Sequence, residues 1–144
     1  LLEIQSSVRQ DGSISRTLSA EFVQAWQAVH SPNQHRLRDV GSNPPNHLNG
    51  LWTKANYSAP EERSQPMIDA LAESETLIEE LFWADRLLLG VPMYNFSVPA
   101  TLKTYIDNIV RINRTFTFDP ETYSFGGLVH GKKALIITPS AGNF

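Results

Sequence analysis

Short apolar runs alternate along this chain with longer stretches whose apolar residues recur every three or four positions, and that alternation restricts the fold most. Leu1-Leu2-Glu3-Ile4-Gln5 is a strand that stops at Ser6-Ser7. Ile14, Leu18, Phe22, Ala25, Trp26 and Val29 then predict a helix that starts near Ser13 or Ser15, ends at His30 and lays this apolar face on a sheet. Residues 35–40 form a weaker strand candidate. Residues 41–60, rich in Gly, Asn, Pro and Ser, read mostly as loop, with Trp52 in a short helical turn. A second helix fits residues 64–83, with Met67, Ile68, Leu71, Leu77, Ile78, Leu81 and Phe82 as its stripe. Leu87-Leu88-Leu89-Gly90-Val91 has the unbroken apolarity of a central parallel strand covered on both faces. Pro99 suits the first turn of a third helix, buried through Leu102, Tyr105, Ile106, Ile109, Val110 and Ile112. After a polar, aromatic loop, residues 133–138 supply one more buried strand. Strand and helix thus alternate, which predicts an α/β fold with a doubly wound parallel sheet. In such sheets ligands sit beyond the carboxyl ends of the strands, where the loops at Ser7, Met93 and Pro139 lie.

The function classes narrow on simple grounds. At 144 residues, the chain has the size of one soluble domain. A formal net charge of -3 gives no reason to expect nucleic acid or an anionic membrane as partner. Cysteine is absent, which excludes disulfides, thiolate metal sites and thiol nucleophiles. The first residues lack the pattern of a signal peptide, and a reducing cytoplasm is the expected location. His30, His35, His47 and His130 show no metal-ligand spacing, so no metal site is expected. A serine hydrolase is disfavoured because G-x-S-x-G is missing.

Two loops carry the chemistry. The first, Ser6-Ser7-Val8-Arg9-Gln10-Asp11-Gly12-Ser13-Ile14-Ser15, gathers hydroxyls at a helix N-terminus, whose unpaired N–H groups and partial positive charge suit a dianionic monophosphate. Ser13 or Ser15 acting only as an N-cap accounts for the same residues. The loop is neither a Walker loop nor G-x-G-x-x-G, which points to a mononucleotide rather than ATP or a dinucleotide. The second loop, Pro92-Met93-Tyr94-Asn95-Phe96-Ser97-Val98-Pro99, follows the strongest strand and precedes a helix. Core packing of Tyr94 and Phe96 is its plainer reading.

Pro92 to Phe96, followed by Pro99-Ala100-x-Leu102-Lys103-x-Tyr105-Ile106-Asp107, resembles the flavin-contacting signature of the FMN-dependent NADH:quinone oxidoreductases, or azoreductases. Ser7-x-Arg9 with Ser13-Ile14-Ser15 is similar to that family's phosphate loop, and Gly131 to Thr138 to the strand before its third flavin loop. The resemblance implies a flavodoxin-like, three-layer α/β/α domain over residues 1–144 that stops before a fifth strand and last helix. It implies that Ser7, Ser13, Ile14 and Ser15 hold the FMN phosphate and that Met93, Tyr94, Asn95 and Phe96 line the isoalloxazine. Ser140 and Gly142 belong to its third loop, where Pro139 removes one backbone donor.

Phe116, Phe118, Tyr123 and Phe125 resemble the segment that covers the flavin of the neighbouring subunit in a homodimer, with Phe116 and Phe118 as substrate lid. Local packing explains the same aromatics. The implied activity is ping-pong: NADH or NADPH reduces the flavin by hydride transfer and leaves, and a quinone or azo compound then takes two electrons. Asn95, with Tyr94, is expected to orient the redox edge as the catalytic pair. The rival reading is a flavodoxin-type FMN electron carrier without small-molecule turnover.

Overall fold

The computed structural model describes residues 1–31 and 34–141 and gives two compact units. The first consists of Leu1–Pro44, Ala84–Lys103 and Lys132–Phe144, and the second of Pro45–Trp83 and Thr104–Gly131.

The first unit is built on a four-stranded parallel sheet of β1 (Leu2–Gln5), β2 (Arg36–Asp39), β3 (Arg86–Gly90) and β6 (Lys133–Ile137), in the order β2-β1-β3-β6. The chain leaves β1 for β2 on one side and resumes at β3 on the other, so strand order reverses beside β1. Register aligns the strand ends. Gln5 pairs with Asp39 and with Gly90, and Gly90 with Ile137. The loops that follow β1, β3 and β6 therefore leave the sheet from one row.

Helix α1 (Ile14–Val29) packs on β3 and β6. Leu1, Val23 and Leu88 form the centre of that contact, with Phe22, Trp26 and Ile137 around them. The expected helix is present, but its buried face is rotated. Ser15, Ser19 and Val23 are buried, whereas Ile14 is 62% and Val29 76% exposed. Small hydroxyl residues let the helix approach closely, and the larger Phe22 and Trp26 fill the flank. Strand β6 also departs from expectation. It is an edge strand, and Ile136 is 56% exposed rather than buried, because among the described residues nothing pairs with its outer side.

The second unit holds α2 (Gly50–Tyr57), a short 3-10 turn at Pro60–Glu62, α3 (Gln65–Trp83), most of α4 (Ala100–Ile109), and an antiparallel hairpin of β4 (Phe116–Asp119) and β5 (Ser124–Gly127). Helix α2 replaces the loop expected there. Asn49 caps it, its side chain accepting a hydrogen bond from the Trp52 N–H at 2.9 Å. Trp52 and Ala55 then pack on Met67 and Leu71 of α3. Ile68 and Phe82, expected in the α3 stripe, are exposed, and Ser74 is buried instead.

Buried Arg111 organises this unit. Its guanidinium donates to Asn56 Oδ1 at 2.9 Å, Ser74 Oγ at 3.1 Å and Glu75 Oε1 at 2.8 Å, and lies 5.8 Å from the Trp52 ring centroid. Burial lowers its pKa, with Glu75 opposing that shift. The segment read as an aromatic loop is the β4–β5 hairpin. Phe118 and Phe125 face each other across it with centroids 5.0 Å apart.

Candidate functional site

The site lies in the first unit, where three loops leave the sheet together. Ser6 closes the end of β1, its N–H and Oγ both donating to the Gly90 carbonyl, at 3.1 and 2.7 Å. Ser7 follows, buried, with Oγ accepting from Ser13 Oγ at 2.9 Å. Ser13 is the N-cap of α1 and reaches Ser15 Oγ at 3.2 Å. Three hydroxyls thus form a chain across the N-terminus of α1. The first turn of that helix has no acidic residue to compete with an anion for its N–H groups.

The second loop meets this chain directly. Tyr94 Oη stands 3.4 Å from Ser7 Oγ and accepts the Val8 N–H at 3.2 Å. The loop bends back at once, Tyr94 and Ser97 exchanging backbone hydrogen bonds of 2.9 and 3.0 Å. Asn95 and Phe96, between them, have φ of 49° and 63°. Two positive values in succession, between residues that exchange backbone hydrogen bonds, mark a turn of the I′ kind, which costs Phe more than Asn. Phe96, 83% exposed, is therefore held in a costly conformation without burial to offset it.

Two adjoining clefts result. One of about 190 Å³ is lined by Ser7, Ser13, Ile14, Ser15, Tyr94 and Ser140, with Arg9 at its rim. The other, of about 420 Å³, is lined by Met93, Phe96, Ser97, Val98, Thr138 and Ser140. Met93 and Pro92 line both, and the Met93 N–H donates to the Pro139 carbonyl at 3.3 Å. A cleft bordered by hydroxyls and a helix N-terminus thus opens beside one lined by Met93, Phe96 and Val98, an arrangement that suits a phosphate-bearing planar ligand.

A family described by its flavodoxin-like fold matches residues 1–144. The FMN-dependent NADH:quinone oxidoreductase of Nostoc punctiforme is 48% identical over 144 residues, covering 100% of this chain and 69% of that protein. The chain belongs to this family of flavodoxin-like oxidoreductases. The FMN-dependent NADH:quinone oxidoreductase of Azotobacter vinelandii is 41% identical over 146 residues, 99% of this chain and 70% of that one. An azoreductase from Bacillus anthracis has the same fold, with a TM-score of 0.83 at 22% identity over 95% of this chain and 66% of its own. An FMN-dependent NADH-azoreductase from the same species, solved in complex with FMN, gives a TM-score of 0.78 at 19% identity, with 95% of this chain and 66% of its own covered.

In this family member the residues singled out by sequence divide as follows. Ser7, Ser13, Ile14, Ser15, Met93, Tyr94, Phe96 and Ser140 all line one or both clefts. Asn95 occupies the exposed corner of the turn and is not among the described residues lining either. Gly142 lies outside the described residues. Phe116 and Phe118 belong to the second unit, half-buried on the β4 side of the hairpin.

Sequence reasoning missed Arg16 and Asp39. Arg16, in the first turn of α1, makes two 2.8 Å bonds to the Asp39 carboxylate at the end of β2. Burial pushes the Asp39 carboxyl up, but hydrogen bonds from Arg16 and Ser42 outweigh it and hold the group below its ordinary value. The available signal was a cation where the helix dipole disfavours one.

Proposed function

We propose that residues 1–144 form one FMN-binding domain of an enzyme that passes electrons from NADH to quinones and azo compounds. The observation that carries this reading is the convergence of the serine loop and the Tyr94 turn on one cleft, together with relatives named FMN-dependent NADH:quinone oxidoreductases.

The chain's own groups fit the cofactor. Ser7, Ser13 and Ser15 offer hydroxyls, and α1 offers its N-terminus, to a dianionic phosphate. Met93 and Phe96, which line the larger cleft, offer soft and aromatic surface to a flat ring. Tyr94 stands at the junction between ring and phosphate, and Asn95, at the exposed corner of the same turn and outside both clefts, keeps the redox edge only on the family resemblance. When bound, FMN supplies two-electron chemistry in a ping-pong cycle, with NADH as donor and NADPH as the alternative. No acid or base of the protein is needed for hydride delivery.

Homodimerisation, with Phe116 and Phe118 covering the partner's acceptor site, and a cytoplasmic location complete the proposal. The dimer is supported by the exposed hairpin aromatics Tyr123 and Phe125 beside half-buried Phe116 and Phe118; among the described residues no helix is long and apolar enough to cross a membrane.

The test is NADH oxidation by the FMN-reconstituted protein with menadione or methyl red as acceptor. Sustained turnover supports the enzyme. Flavin that is bound and reduced but not reoxidised by either acceptor identifies an electron carrier instead.

A further inference from the structure

We propose that Arg16 and Asp39 are positioning residues that hold the loop after β1 in the shape that reads a phosphate ester, so that this protein distinguishes FMN from riboflavin through a pair that touches neither. The inference rests on the FMN reading above and deepens it.

The geometry points one way. The Arg16 guanidinium spends four of its five N–H groups on the loop and on β2: Nη2 donates to the Ser7 carbonyl at 2.6 Å, Nε to the Arg9 carbonyl at 3.2 Å, and Nη1 and Nη2 to Asp39. A planar, rigid fork can make this set of contacts, and a lysine cannot. Because a trans peptide unit points its C=O and N–H to opposite sides, fixing the Ser7 carbonyl on Arg16 turns the Val8 N–H the other way. That N–H is the one that meets Tyr94 Oη at the cleft. Arg16 thus controls which side of the loop its donors face.

Asp39 is anchored independently. Its Oδ1 accepts the Gly41 and Ser42 N–H groups at 3.1 and 3.0 Å, and its Oδ2 the Ser42 hydroxyl at 2.8 Å. It therefore serves as a fixed mount, and it neutralises a cation that the dipole of α1 would otherwise oppose. Gly41 completes the device. A Cβ there would collide with the Ser7 carbonyl and come within 3.1 Å of Arg16 Nη2, so only glycine lets the β2 turn close on the loop.

The test compares the wild-type chain with Arg16→Lys and with the double variant Arg16→Gln/Asp39→Asn. Both variants preserve the net charge and both lose the fork. FMN and riboflavin are titrated into each by flavin fluorescence, with melting followed by circular dichroism. The expected result is FMN affinity reduced about tenfold in both variants while riboflavin affinity stays within about twofold, so that the ratio collapses. Equal weakening of both flavins would show a merely structural pair. Unchanged FMN affinity in either variant would show that the fork does not set how the loop reads the phosphate, and overturns the proposal. Should the double variant fail to fold, Arg16→Lys decides alone. Wild-type protein that binds neither flavin would sink the FMN reading itself, a different outcome from any of these.

Discussion

Tyr94 Oη lies 3.4 Å from Ser7 Oγ, joining loops 87 residues apart in the chain. This contact makes two sequence motifs into one site. Tyr94→Phe keeps the ring and removes the hydroxyl, leaving the Val8 N–H without its acceptor. One such hydrogen bond is worth roughly 1 kcal/mol, so FMN affinity should fall about five-fold by fluorescence titration. An unchanged affinity would show that Tyr94 joins the loops without affecting what they hold.

The turn at Asn95 and Phe96 predicts a trade between stability and binding. Phe96→Gly relieves a left-handed backbone that costs a non-glycine residue about 1–2 kcal/mol, against about 0.5–1 kcal/mol of added freedom in the unfolded chain. With Phe96 so exposed, little packing is lost. Urea denaturation should show the variant equal to or slightly more stable than wild type, while FMN binding weakens. Clear destabilisation would mean that Phe96 is packed in the native state.

Asp39 gives a pH dependence of known sign. Its folded pKa lies below the ordinary value of 3.8, so its contribution is fully present above that value and is lost as pH falls through the folded pKa. The difference in melting temperature between wild type and Asp39→Asn should therefore be constant near neutrality and shrink below about pH 4. A difference that persists undiminished into strong acid would contradict the assignment.

Arg111 predicts the largest stability loss. Replacing it by Met leaves Glu75 with Arg114 alone, takes the donor from buried Asn56 Oδ1 and leaves Ser74 only its bond to the Asn108 carbonyl, at a cost of about 3–5 kcal/mol. Thermal melts should show this, and Arg111→Lys should recover only a fraction, since the three contacts need a fork. Asn49→Ala, by contrast, removes only the α2 cap and should cost about 1 kcal/mol.

Much of this was legible from the residues. The apolar run at Leu87 to Leu89, flanked by Arg86 and Gly90, marked β3 because a strand between two others is apolar through its length. The serines and the Met93 to Phe96 run marked the two loops, and alternation placed both at strand ends. What escaped depended on tertiary partners. Periodicity gave α1 its period but not its phase, since small Ser15 and Ser19 are buried where larger apolar residues were expected. Asn49 was hidden in a Gly- and Pro-rich stretch, where its cap overrode composition. Arg16 and Asp39 lie 23 residues apart, and nothing local joins them.

The most direct measurement is a titration of the purified 144-residue chain with FMN, read by flavin fluorescence and by the ³¹P resonance of the phosphate. Quenching that saturates at one FMN per chain, with a shifted and broadened phosphorus signal, is the result expected if the Ser7–Ser13–Ser15 cradle holds the phosphate. Flavin that stays fully fluorescent, or that is quenched with an unmoved phosphorus signal, would contradict it.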